Sequence, residues 1–212
     1  MRSHWSHKPR TVVALCCGVA LLALGSFASI SAASSRRSTP HATASPFVVA
    51  NTSSVQKLDP DVVTNFLDFQ ALGLIYDKLV QFNSKLQVVP DLATSWKTSG
   101  GGKVLTFQLR KGVTFDDGSA FTSADVVASL ERAKNPKVAD ASASFIGTVK
   151  KIVPDGKYAV KLEMSRPDSS VIDGLTSVNL AIMPKAAIAA GTLSKTPDGT
   201  GPYEFASWNP TN

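Results

Sequence analysis

Histidine and cysteine are nearly missing from this 212-residue chain. The three histidines are His4, His7 and His41, and the two cysteines are Cys16 and Cys17. All five lie before the part of the sequence that reads as globular. A Ser–His or Cys–His nucleophile pair therefore cannot be assembled there, nor a His/Cys metal cluster, and a folded part without cysteine depends on no disulfide. A surplus of charge of one sign is also missing once the termini are discounted. The formal net charge is +6, but Arg2, Lys8, Arg10, Arg36 and Arg37 precede the globular region; without these five, 17 of the 22 basic residues remain against 16 acidic ones. Nucleic-acid binding thereby loses its main electrostatic support. Long apolar runs are limited to Val12–Leu24, short of the roughly 20 residues a membrane span needs.

That run follows a basic n-region, Met1 to Arg10, and precedes the small residues Ser26, Ala28, Ser31, Ala32 and Ala33. Residues 1–33 thus read as a cleaved signal peptide, with an uncleaved anchor as the alternative. Cys16 follows Leu15 inside the run rather than a small residue at its end, so both cysteines read as small hydrophobes of the leader instead of lipid-attachment sites. Residues 34–46 (SSRRSTPHATASP) are small and polar, a flexible tether. The remainder, in a chain that is 43% apolar and 18% charged, has the make-up of an ordinary globular protein.

The globular part opens with Phe47-Val48-Val49-Ala50, compatible with a buried strand. From Asp61 the residues Val62, Phe66, Phe69, Leu72, Tyr76 and Leu79 recur at helical spacing, and Asp59-Pro60-Asp61 suits the helix start. Val80–Phe82 and Gln87–Val89 flank a hairpin turn. Val104–Arg110 alternates, placing Leu105, Phe107 and Leu109 on one face. Asp117-Gly118 marks a tight turn, and Thr122 to Asp125 has the spacing of a helix cap, with Asn135-Pro136 ending that helix. Val149–Val153 and Tyr158–Met164 form a second strand pair around Pro154-Asp155-Gly156. A short helix over 168–177, a strand at Leu180–Met183, a helix at Pro184–Ala190 and a strand from Tyr203 to Trp208 complete the reading. The fold class is α/β with a mixed sheet, hairpins and helices.

Three motifs are considered for chemistry. Ser54-Val55-Gln56-Lys57 has Ser-x-x-Lys spacing, but Leu58-Asp59-Pro60 disfavours the helix that would bring amine to hydroxyl, and no Ser-Asp-Asn partner exists. Gly100-Gly101-Gly102-Lys103 lacks the glycine and hydroxyl of a P-loop, and reads as a turn. Asp116-Asp117-Gly118 lacks the alternating acids of a calcium loop. Trp96, Tyr76, Phe107, Phe115, Phe121 and Trp208 sit within periodic patterns and read as core more readily than as ligand-stacking groups. The candidate ligand-binding residues are Asn51, Thr52, Ser53 and Ser54, in the loop leaving the carboxyl end of the first strand. Their hydroxyls and N–H groups suit a polar solute; a solvated loop is the competing reading. No catalytic residue, metal ligand or cofactor is assigned.

Several short segments carry a family resemblance by their order and spacing. They are Leu58-Asp59-Pro60, Ile75-Tyr76-Asp77-Lys78-Leu79-Val80, Leu92-Ala93-Thr94-Ser95-Trp96, Leu109 to Phe115 with Asp117-Gly118, Thr122 to Arg132, and Gly199-Thr200-Gly201-Pro202-Tyr203. From about Phe47 onward the chain resembles the family 5 extracellular solute-binding proteins of ABC importers, which include dipeptide and oligopeptide binders. Thr94 stands where relatives usually carry Glu.

The resemblance implies a monomeric, two-lobed Venus-flytrap receptor that holds a small solute, expected to be a peptide, and delivers it to membrane permease subunits. The expected function is thus solute binding at the outer face of the cytoplasmic membrane or in the periplasm, without enzymatic activity. It further implies that residues 47–90 and 186–212 belong to the large part of the first lobe and 91–185 to its small subdomain, with Asn51–Ser54 facing the cleft. Relatives are much longer, so the chain is expected to be an N-terminal fragment holding part of lobe I with the second lobe absent, binding solute weakly or not at all on its own. Unfinished sheet edges are expected to promote aggregation. A secreted hydrolase and a surface adhesion or sensing module reusing the fold are the alternatives. The solute itself is not specified by the fold.

Overall fold

A computed structural model describes residues 48–49 and 54–209. The leader (1–33), the tether (34–46), Phe47, Ala50 and the candidate residues Asn51, Thr52 and Ser53 lie outside the described residues. The chain divides into the units Met1–Val48 and Val49–Asn212, and every described helix and strand belongs to the second.

Of the expected opening strand Phe47–Ala50, the described residues Val48 and Val49 are exposed and take part in no ladder. The helix expected from Asp61 is broken into two pieces. Asp59 caps a single 3-10 turn, Pro60–Val62, by accepting the N–H of Asp61. The chain then straightens at Val63, and Asn65 caps a new helix, α1 (Phe66–Ile75), through the N–H of Asp68 at 2.9 Å. The break rotates Phe66 out of the apolar face, leaving it 72% exposed, whereas Leu72, Ile75 and Tyr76 are buried.

Two antiparallel sheets come next. β1 (Val80–Phe82) pairs with β2 (Val88–Pro90), and the Asn83 side chain closes the turn by accepting N–H groups of Lys85 and Gln87. The larger sheet contains β3 (Ala93–Ser99), β4 (Val104–Leu109), β5 (Val149–Pro154) and β6 (Ala159–Met164), in the order β3-β4-β6-β5. The mixed sheet expected from the sequence does not occur among the described residues, where every ladder is antiparallel. The reason lies in the connections. Hairpins join β3 to β4 and β5 to β6, and β6 inserts between β4 and β5, which point the same way without touching as neighbours. The β3–β4 turn uses Gly100, Gly101 and Gly102, with φ of +60°, +62° and +86° that only glycine adopts freely.

Alternation places the core as the sequence indicates. Leu105 stands opposite Leu162 and Phe107 opposite Val160, all four fully buried. Helix α2 (Ser123–Ala133) covers this face with Val126, Leu130 and Ala133. Its capping box is complete: Thr122 Oγ1 accepts the Ala124 N–H, and Asp125 Oδ2 accepts the Thr122 N–H at 2.9 Å.

Beyond β6 come α3 (Ser170–Gly174), a 3-10 turn at Val178–Leu180 and α4 (Lys185–Ala190). The strand expected at Leu180–Met183 does not form: Leu180 ends the 3-10 turn, and 181–183 is an extended, buried segment without a ladder. Ile182 donates to the Asp77 carbonyl and Met183 to Ser129 Oγ, so its backbone is satisfied by two different elements. Tyr203–Trp208 likewise forms no ladder among the described residues; the Tyr203 N–H bonds the Leu74 carbonyl at 3.1 Å. Apolar side chains collect in two clusters. One joins the sheet to α2, and the other gathers Val63, Leu72, Ile75, Tyr76, Ala181, Met183 and Leu193 around α1.

Candidate functional site

Of the four candidate ligand-binding residues, Ser54 is described. It is half-buried, and its Oγ and carbonyl oxygen both accept from Gln56 Nε2, at 3.0 and 3.1 Å. The stem beyond it is fixed at two points. The Gln56 N–H donates to Asp68 Oδ1 at 2.7 Å, at the start of α1, and Trp208 Nε1 donates to the Val55 carbonyl at 3.2 Å. The stem at 54–57 is therefore a base anchored between α1 and the return segment, residues 186–212. Lys57 is irrelevant to Ser54 as a base: its Nζ donates to the Val62 carbonyl at 3.1 Å, and the intervening residues are not helical.

Beside this base the return segment locks onto the end of α1. The Gly201 N–H donates to the Ile75 carbonyl at 2.8 Å, and Thr200 Oγ1 donates to Asp77 Oδ2 at 3.0 Å. The two glycines are required by contact distance. A Cβ on Gly199 would lie 1.9 Å from the Ile75 carbonyl oxygen, and one on Gly201 would lie 2.5 Å from that of Leu74. The Asp116-Asp117-Gly118 turn closes the other side. Asp116 N–H donates to the Gly199 carbonyl, Gly199 N–H returns a bond to Asp116 Oδ2, and Asp117 N–H reaches Asp198 Oδ1. Burial pushes the Asp77 carboxyl up to about 6; the negative Asp91 adds to this, and the Thr200 hydroxyl opposes it.

A groove of about 450 Å3 opens along this junction, with Asp116, Asp117, Asp198 and Glu204 on its rim and Ala187 and Phe205 on its apolar wall. Among the described residues no group of three or more His, Cys, Asp or Glu side chains is arranged to hold a metal. The aromatic residues considered as ligand platforms divide by burial. Tyr76, Phe107, Phe115 and Phe121 are core, with Phe115 and Phe121 edge-on at 6.3 Å, while Trp96 and Trp208 are half-buried.

A second polar centre is not apparent as a unit in the sequence. Arg132 on α2 forms a two-pronged ion pair with Asp59, at 2.9 and 2.6 Å, and also bonds Asp61. Asn179 donates to the Pro60 and Val63 carbonyls at 2.7 and 3.0 Å, holding the same turn from the opposite side. Leu58-Asp59-Pro60 and Arg132 each figure among the recognisable segments, but nothing local marks them as partners.

Comparison with known proteins decides the family. Residues 87–212 match the family model described as bacterial extracellular solute-binding proteins, family 5 Middle. The chain belongs to this family. Among curated family 5 relatives, the glutathione-binding protein GsiB of Pectobacterium atrosepticum is 30% identical over 78% of this chain and 32% of its own length. GsiB of Salmonella typhimurium is 32% identical over 87% of this chain and 36% of its own. The chain thus spans about a third of the length of the curated relatives it matches. Two solved structures show the same architecture. Periplasmic binding protein AgaA from A. tumefaciens, in complex with agropinic acid, is 33% identical with a TM-score of 0.70, covering 74% of this chain and 32% of its own. DppA from Helicobacter pylori, an ABC transporter-associated periplasmic binding protein in complex with the peptide STSA, is 31% identical with a TM-score of 0.66, covering 74% and 36%. Thr94, where the family resemblance is broken, is exposed on edge strand β3 and donates to the Gln108 carbonyl, so the substitution falls on the surface.

Proposed function

We propose that this chain acts in solute recognition for an ABC importer, with short peptides as the solute class, and that captured solute is handed to membrane permease subunits. Family membership, together with relatives whose names or bound ligands are glutathione and a peptide, is the observation that carries this reading. The leader at residues 1–33 would direct export, placing the globular part outside the cytoplasmic membrane, as the family's description as extracellular also suggests.

Residues 47–90 and 186–212 are proposed to build the large part of one lobe, and 91–185 a small subdomain beside it. Two separate apolar clusters, one around the four-stranded sheet and one around α1 that Leu193 joins, support two cores. Leu79 and Val80 pack in the first, and Ala181 and Met183 in the second. The anchored base at 54–57 supports Asn51–Ser54 as the cleft-facing loop, since a recognition loop works best on a rigid stem. Disruption of the gene is expected to lower saturable uptake of glutathione or other short peptides by cells, restored by a plasmid copy. Unchanged uptake across di-, tri- and oligopeptides would contradict the proposal.

A further inference from the structure

Two carboxylates, Asp59 and Asp61, bond one guanidinium where the 58–63 segment meets α2, and a third, Asp140, lies within their electrostatic reach. Asp59 takes both prongs of Arg132, and Asp61 Oδ2 bonds the same Nη1. Asp61 is fully buried, and its other oxygen, Oδ1, has no hydrogen-bond partner. Asp140, on the loop after α2, is also buried; its Oδ1 accepts the Ser142 N–H at 2.6 Å while its Oδ2 has no partner. With every group ionised, this site holds three negative charges against one positive charge, and an ionised carboxylate oxygen without a donor is costly in a buried place.

The other groups around it do not correct the imbalance. From the turn itself comes Asp59, from α2 Arg132, and from the loop after α2 Asp140. Lys57 spends its ammonium on the exposed Val62 carbonyl. Asp68 at the head of α1 is held by Gln56 and Asn65, Tyr76 is neutral, and Asn179 and Ser142 carry no charge. The simplest remedy is a proton on the oxygen that lacks a donor.

We propose that Asp59, Asp61, Arg132 and Asp140 form a proton-binding latch, in which a proton taken up on Asp61 Oδ1 seats the 58–63 segment against α2 and its loss loosens that segment. The proton comes from water and returns to it, and no other bond changes. Burial, reinforced by the charges of Asp140 and Asp59 and opposed by Arg132, pushes Asp61 up to about 7, and burial likewise pushes Asp140 up to about 6. Between the ordinary carboxylate value and about 7 the folded chain keeps a proton that the unfolded chain has shed, so unfolding releases it and rising pH favours unfolding. The latch is full in acid and empties above neutrality. This holds whether or not peptides are the solute.

The test is the pH dependence of unfolding for the intact chain and for Asp61→Asn, measured by denaturant titration from pH 5 to 8.5, together with the carboxyl-carbon NMR titration of Asp61 in the unaltered protein. Other buried carboxylates contribute to the slope in both proteins, so the difference isolates Asp61. The unaltered protein is expected to show an extra roughly tenfold rise in its unfolding constant per pH unit between 5 and 6.5, which Asp61→Asn removes. The Asp61 carbon is expected to titrate near neutrality. Equal slopes in the two proteins, or an Asp61 carbon titrating below pH 5, would overturn the latch. Should Asp61→Asn fail to fold, the carbon titration alone decides.

Discussion

At the scale of single residues, the return segment depends on two hydrogen atoms. Gly199 and Gly201 press against the carbonyls of Ile75 and Leu74, closer than any Cβ permits. Gly201→Ala is therefore expected to lower stability by about 3 kcal/mol, the upper range for overpacking, because the obstacle is backbone and cannot rotate away. A denaturant melt checks this; a loss under about 0.5 kcal/mol would mean the segment does not seat as described. Thr200 gives a gentler probe. Its hydroxyl stabilises the ionised form of Asp77, whose carboxyl lies at about 6. Thr200→Val is expected to move that titration further up. Since a raised carboxylate stabilises the folded state in acid and loses that contribution as pH rises through its folded value, the variant should differ most from the unaltered protein above pH 6.

At the scale of elements, the sheet and α2 carry the larger apolar cluster. Phe107 is fully buried between Trp96 and Val160 on neighbouring strands, and Phe107→Ala is expected to cost about 3–5 kcal/mol by thermal or denaturant melt. Thr122→Ala, which breaks the capping box, should cost about 1 kcal/mol. These elements are legible in the sequence because their causes are local. Alternation over Val104–Leu109 needs no distant partner to be read, and Thr122 and Asp125 lie within one turn. The interrupted helix at 60–75 is not legible, because Val62, Phe66, Phe69 and Leu72 keep helical spacing across the break. The interruption is made by Asn179, which holds the Pro60 and Val63 carbonyls from 119 and 116 positions away in the chain. The extended segment ending at Met183 reads as a strand for a related reason: it is apolar and short, but its partners are a helix hydroxyl and a loop carbonyl rather than a neighbouring strand. The antiparallel pairing of every ladder among the described residues is a property of strand order, which periodicity does not report.

For the whole molecule, side-chain hydrogen bonds tie segments distant in sequence to one another. Among the described residues the polar groups are spent on holding segments together: Asp68 and Trp208 on the 54–57 stem, Thr200 on Asp77, Arg132 on Asp59 and Asp61. The Ser54-Lys57 spacing, the one catalytic pattern in the globular sequence, is dismantled because Lys57 turns to Val62. In the sequence only hydroxyl content points to the loop at 51–54, and the stem at 54–57 that the structure describes is not legible there. Trp208 lies 153 positions from Val55, and no local pattern marks the two as partners. The most direct test is a 1H–15N NMR titration of the purified protein with glutathione and with di- and tripeptides into the millimolar range. Saturable shifts centred on residues 51–57 and their contacts at Asp68 and Trp208 are expected. Shifts centred instead on the outer face of β3 and β4, or micromolar saturation by the chain alone, would contradict the account.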